Sequence, residues 1–183
     1  MNPSSGAIRI RKVNVDGTIG SVVYGQVWAD KFTTADFYYR GSNTYLLLLN
    51  KSSGKLRIRK MNASGSVGTQ TDSKRWTSGW THAHFYQQGG QTQLFIYKKG
   101  AGTVVVFRMT ATGRIGTELA RYSIAKQWST VRIFDPGEGN YLLLLNSGSG
   151  TNKTIELKPD GTLGKVEDEG TWSSGWTAAR FYQ

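Results

Sequence analysis

Six tryptophans, two histidines and a spread of arginines and lysines are the residues of this sequence best equipped for chemistry, and the tryptophans fall into a pattern. Trp76-Thr77-Ser78-Gly79-Trp80 is followed by Phe85-Tyr86-Gln87, and Trp172-Ser173-Ser174-Gly175-Trp176 by Phe181-Tyr182-Gln183. A flat aromatic face covers the C–H surface of a sugar ring, while phenols, amides and hydroxyls supply directional hydrogen bonds. The candidate ligand-binding residues are therefore Trp76, Trp80, Tyr86 and Gln87, then Trp172, Trp176, Tyr182 and Gln183. Trp28 joins them from a fainter copy, and Asn50 and Asn146 recur at a strand end where an amide can orient a ligand. Weak single sites of this kind would gain avidity by repetition.

Other chemistries find less support. His82 and His84 are spaced to share one face of a strand, so a metal pair is conceivable, but no third ligand repeats with them and they read as surface histidines. Asp135 and Glu138, and the run Glu167-Asp168-Glu169, have no partner base at a recognisable spacing. No nucleophile elbow, phosphate loop or calcium loop is present. Asp16-Gly17 and Asp160-Gly161 are turn residues. The chain has no cysteine, which excludes disulfides and thiolate chemistry. The expectation is a protein without enzymatic activity, metal or cofactor.

The elements that must position these residues repeat. Trp80 and Trp176 are 96 residues apart, and Trp128 lies halfway, in the decayed copy Ile124-Ala125-Lys126-Gln127-Trp128. Trp28 and Phe32 stand 48 residues before Trp76 and Trp80. Three glycine series keep the same register: Gly6, Gly54, Gly102, Gly150; Gly17, Gly65, Gly113, Gly161; and Gly20, Gly68, Gly116, Gly164. Each unit reads as four short strands. In the best copy these are a short aromatic strand at Phe37-Tyr38, a continuous apolar strand from Tyr45 to Leu49, an alternating strand Leu56-Arg57-Ile58-Arg59, and a last strand towards Trp76. The corresponding strand Lys153-Thr154-Ile155-Glu156-Leu157 has its alternation out of phase, through a bulge or a one-residue slip.

The chain is thus predicted to be an all-β, β-propeller-like array of four-stranded repeats, with a β-trefoil-like fold as the alternative. It forms one repeat domain over 1–183: a partial repeat at 6–35, full repeats at 36–83, 84–131 and 132–179, and the start of another at 180–183. The partial units at the two ends lack a second, apolar strand. A ring with a defective blade, several chains completing one another as a homo-oligomer, or a shortened form of a longer array would each account for that. If one tryptophan of each pair is core, Trp80, Trp128 and Trp176 are the core set, and Trp28, Trp76 and Trp172 the ligand set.

Gly79-Trp80, Phe85-Tyr86, Gly89-Gly90 and Leu94-Phe95-Ile96-Tyr97, with Gly175-Trp176 and Phe181-Tyr182, resemble the repeat of tachylectin-2-type β-propeller lectins. The resemblance spans the chain in its period and these positions in its motif. It implies a lectin whose blade interfaces hold N-acetylated sugars. The basic third strands and the eroded third unit depart from that family.

The net charge of +11 favours anionic partners, although no block of five like charges occurs. Residues 1–60 carry ten of the cations against three carboxylates. Arg9, Arg11, Lys12, Arg57, Arg59 and Lys60 occupy equivalent strand positions near aromatics, which suits single-stranded nucleic acid, and a protein-interaction scaffold is a further alternative. No secretory leader or membrane-spanning run is visible, so the chain is expected in the cytoplasm, or as a mature form, or released without a leader.

Overall fold

The computed structural model describes residues 1–176. The N-terminal pair of strands is β1 (Ala7–Val13) and β2 (Ile19–Val27). One four-stranded sheet is built from β3 (Thr34–Arg40), β4 (Asn43–Leu49), β5 (Lys55–Met61) and β6 (Val67–Arg75). The next comprises β7 (His82–Gln88), β8 (Gln91–Lys98), β9 (Thr103–Met109) and β10 (Ile115–Ser123). The last comprises β11 (Thr130–Phe134), β12 (Asn140–Leu145), β13 (Thr151–Leu157) and β14 (Leu163–Thr171). Every pairing is antiparallel and every sheet is a meander in chain order. Each repeat closes as its own sheet, as in the propeller-like reading, so the trefoil alternative falls away. The first strands start at 34, 82 and 130, two residues before the repeat boundaries read from the sequence. Among the described residues no helix is long and apolar enough to cross a membrane.

Two compact units result. The first comprises residues 1–80 with 110–114, and the second 81–109 with the described residues from 115 onward. In the first, Ile8 and Trp28 pack with Phe32, Leu46, Leu48 and Met61. The opposite face of β4, Leu47 and Leu49, is also fully buried beside Leu56 and Ile58. This is why Tyr45–Leu49 is apolar throughout rather than alternating. In the second unit, Tyr86, Phe95 and Tyr97 of one sheet share a core with Trp128, Val131, Leu142, Leu144 and Ile155.

A bulge recurs in the fourth strand of each unit. Registers jump across Val23, Thr71, Leu119 and Glu167, which are 48 residues apart. That settles the phase of β13. Asn152 fills the buried place that Leu56 holds in β5, the β12–β13 register is unbroken, and the irregular step falls between Thr154 and Ile155, as it does between Ile58 and Arg59. The register does not slip and the bulge is common to every copy, so the change of phase lies in the side chains: Ile155 stands where β5 has Arg59, and it packs into the core of the second unit.

Two glycine series have backbone reasons. Gly6, Gly54, Gly102 and Gly150 adopt φ between 68° and 77°. Each accepts a hydrogen bond from the residue in the first tryptophan column, as in Trp76 N–H to the Gly54 carbonyl at 3.0 Å. A Cβ on Gly54 would sit 2.0 Å from the Trp76 carbonyl oxygen. Gly79 and Gly175 of the Trp-x-x-Gly-Trp motif lie at φ 93° and 92°, each donating its N–H at 2.7 Å to the loop after an apolar strand, at Lys51 and Ser147. The corresponding residue of the first copy is Lys31, which holds φ 44° without being glycine.

Candidate functional site

The first unit contains a cleft of about 550 Å³ between the end of β2 with its following loop and the third and fourth strands of the next sheet. Tyr24, Gln26, Trp28 and Asp30 line one side, and Lys55, Arg57, Arg59 and Val67 the other. Alternation in β5 sends Leu56 and Ile58 into the core and turns Arg57 and Arg59 to the opposite face.

The indole of Trp28 is 8% exposed and packs edge-on against Phe32, with ring centroids 5.6 Å apart. Its Nε1–H donates to the Tyr24 hydroxyl at 3.1 Å, and that hydroxyl donates to Gln26 Oε1. The Arg59 and Arg57 guanidiniums stand 5.2 and 5.9 Å from the indole centroid. Cation–π attraction of roughly 0.5–2 kcal/mol per pair holds them there. Trp28 is therefore not an open stacking platform: two cations lie over its ring.

Asp30 bridges the cations. Its Oδ1 pairs with Lys55 Nζ and its Oδ2 with Arg57 Nη2, both at 2.6 Å. Arg59 donates from Nε and Nη2 to the Gly68 carbonyl at 2.9 and 2.6 Å. Arg57 Nε is buried with no acceptor among the described residues. The loop carrying Asp30 is held by Asn50, whose Nδ2 donates to the carbonyls of Asp30 and Lys31. The left-handed backbone at Lys31 places a strained residue beside the cleft.

The other sequence candidates are placed as follows. Trp80 is 6% exposed and Trp128 2%, both in the core, as the core set requires. Trp176, assigned to that set, is 54% exposed, and Trp172 is 45% exposed. Trp76 is half-buried and tilted at 59° to Trp80, with centroids 5.8 Å apart. Tyr86 is a core residue because it lies on the buried face of β7, where its hydroxyl donates to Gln93 Oε1 at 2.5 Å. Gln87 is exposed and exchanges hydrogen bonds with Thr92. Asn50 and Asn146 are turn residues: Asn50 Oδ1 accepts from Ser52 and Ser53 N–H, and Asn146 Oδ1 from Gly148 N–H. Tyr182 and Gln183 lie outside the described residues.

The basic set is divided. Arg57 and Arg59 belong to the Trp28 cleft, whereas Arg11, Lys12 and Lys60 line a wider groove of about 1020 Å³ with Phe37 and Tyr39, also in the first unit.

The histidines are not surface residues. Both are partly buried in the second unit, where His84 Nε2 lies 3.0 Å from Arg132 Nη1. A guanidinium only donates, so Nε2 accepts and the proton of neutral His84 sits on Nδ1. Burial first, then His84 and Arg132, hold the His82 imidazole down to about 4, against an ordinary value of 6.5. Below pH 6.5 the unfolded chain binds a proton that the folded chain refuses until about pH 4. Stability from this group is complete above pH 6.5 and is lost on descending to pH 4, by about 3 kcal/mol. Urea unfolding at both pH values checks this, and His82→Thr, the residue found at Thr130 in the next copy, should flatten the difference. Among the described residues no group of three His, Asp or Glu could hold a metal.

Sequence missed Asp30 and Lys55. The available signal was departure from the repeat: Asp30 corresponds to Ser78, Lys126 and Ser174, and Lys55 to Ala7, Thr103 and Thr151.

No family model and no curated protein matches this chain. Solved structures do. A protein of Lactobacillus plantarum aligns with a TM-score of 0.61 at 16% identity, covering 92% of this chain and 52% of its own. A candidate 6-phosphogluconolactonase of Bacteroides fragilis aligns at 0.61 and 15%, with the same coverage. An exo-β-1,3-galactanase of Phanerochaete chrysosporium, solved with β-1,3-galactotriose, aligns at 0.62 and 9%, covering 82% of this chain and 40% of its own. The fold is β-propeller-like. This chain spans about half the length of the first of these neighbours. The expectation of a protein without enzymatic activity is corrected here: the fold is shared with enzymes, so neither the fold nor the lack of a familiar motif excludes catalysis.

Proposed function

We propose that this chain binds carbohydrate and that the Trp28 cleft is a sugar site. The observation that carries the proposal is the convergence of Tyr24, Gln26, Asp30, Lys55 and Arg57 around one cleft that Trp28 also lines. Sugar hydroxyls donate and accept at once. Asp30 accepts, Lys55 and Arg57 donate, and Gln26 does both. The volume is within the range of small-molecule pockets. Kinship of fold with galactanases supports the reading, as does the resemblance to tachylectin-2-type lectins. Trp172 and Trp176, both exposed, offer a further aromatic surface for an N-acetylated sugar.

A glycan array on the purified chain tests this, with product analysis on β-1,3-galactan oligosaccharides to read turnover as well as binding. The expected result is retention of a narrow glycan set, competed by a simple sugar and weakened by about fivefold or more in Tyr24→Phe, which removes the hydroxyl linking Trp28 to Gln26. No retained glycan, or unchanged retention by Tyr24→Phe, contradicts it.

The wider groove favours a second reading. Exposed Phe37 and Tyr39 beside Arg11, Lys12 and Lys60 combine stacking faces with cations, the mixture that suits a single-stranded nucleic acid. Affinity for an oligonucleotide falling steeply with salt would mark it, with Lys60→Gln lowering the slope by about one.

A further inference from the structure

We infer that the sugar held in the Trp28 cleft carries an anionic group, a uronate carboxylate or a sulfate ester, received by Arg57 and Lys55. The inference rests on the carbohydrate reading and specifies its ligand class. Three cations meet one carboxylate in this cleft, Lys55, Arg57 and Arg59 against Asp30. Asp30 satisfies one donor of Lys55 and one of Arg57, and the Gly68 carbonyl engages Arg59. That leaves excess positive charge in a partly desolvated place, with Arg57 Nε buried and lacking an acceptor. A buried donor without a partner is costly, and an anion of the ligand removes that cost with a charge-assisted bond.

The repeat supplies an independent argument. Residues demanded by the framework return every 48 positions, as Gly6, Gly54, Gly102 and Gly150 do. The combination Lys55-Arg57-Arg59 does not return: its counterparts are Ala7-Arg9-Arg11, Thr103-Val105-Phe107 and Thr151-Lys153-Ile155. The fold is built in those copies without the triple, so folding does not require it. What it adds is a cationic wall facing Gln26 and Tyr24, whose hydrogen-bonded pair lines the side where the neutral part of a sugar ring would lie.

The test is titration calorimetry of the full chain with three probes: a glucuronate-containing disaccharide, the same disaccharide with its carboxylate reduced to the alcohol, and inorganic sulfate. The acidic disaccharide should bind about tenfold or more tightly than the neutral one, and sulfate alone far more weakly. Lys55→Gln, at a partly buried position that leaves the Trp28 packing intact, should remove most of that tenfold difference, lowering the affinity for the acidic disaccharide much more than that for the neutral one. Asp30→Asn should keep the preference for acid, because it releases both cations. Equal binding of the two disaccharides overturns the inference and leaves the carbohydrate reading standing. Sulfate binding with neither disaccharide bound marks a free-anion site and overturns both. A preference for acid that survives both Lys55→Gln and Arg57→Gln places the anion elsewhere and overturns the assignment to this cleft.

Discussion

Gly54→Ala should destabilise the chain by about 3–5 kcal/mol, enough to unfold most small domains of marginal stability. Two costs add. The residue holds φ 68°, where an L side chain is strained by about 1–3 kcal/mol. The new methyl would also stand 2.0 Å from the Trp76 carbonyl oxygen and 2.7 Å from that of Thr77, and both are backbone atoms that cannot rotate away. Relief requires lengthening the Trp76 N–H to Gly54 hydrogen bond, which ties the end of β6 to the turn before β5. Gly17→Ala is the control: its φ is 81° but nothing lies within 4 Å of the added Cβ, so only the strain remains. Denaturant midpoints of the two variants should differ by the clash, about 2 kcal/mol or more. Equal effects would mean that the carbonyl contact does not constrain the turn.

Trp128→Ala should cost about 3–5 kcal/mol, whereas Trp176→Ala should cost under about 1 kcal/mol. The two residues hold the same column of the repeat, so sequence alone assigns them one role. Their surroundings differ. Trp128 is enclosed by Tyr86, Val131, Leu142 and Leu144 in the core of the second unit, and its removal opens a cavity. Trp176 presents more than half its surface to solvent. Urea unfolding with unchanged slope separates these outcomes, and a large loss in Trp176→Ala would place that indole in a core.

The fold was legible because its signals are local and repeated. Glycine at a positive φ, a fully apolar second strand and an alternating third strand are each set by a few neighbouring residues. The bulge at Val23, Thr71, Leu119 and Glu167 was not legible, since these four side chains share no chemistry and the backbone alone creates the feature. The candidate site was only half legible. Trp28 was found by its register, but nothing in its type tells that Arg57 and Arg59, beyond two intervening strands in sequence, lie over the ring. Tyr86 has the composition of a sugar-binding residue and is spent on the core through Gln93. Asn50 was singled out for a ligand and instead holds the loop that presents Asp30. The same amide thus serves the site at one remove, by positioning the carboxylate. Asp30 stood out only as a break in the repeat, because an acid in a turn is ordinary unless its partners are known.

The central claim is that ligand enters the cleft beside Trp28. Its most direct test is the indole N–H region of a proton–nitrogen correlation spectrum, with the six signals assigned through single Trp→Phe variants, during titration with the glycan that the array selects. The account predicts that the Trp28 signal shifts with saturation, because its Nε1–H is bonded to Tyr24 at the cleft wall, while the core signals of Trp80 and Trp128 stay fixed. Saturable shifts confined to Trp172 and Trp176, with Trp28 unmoved, would contradict it.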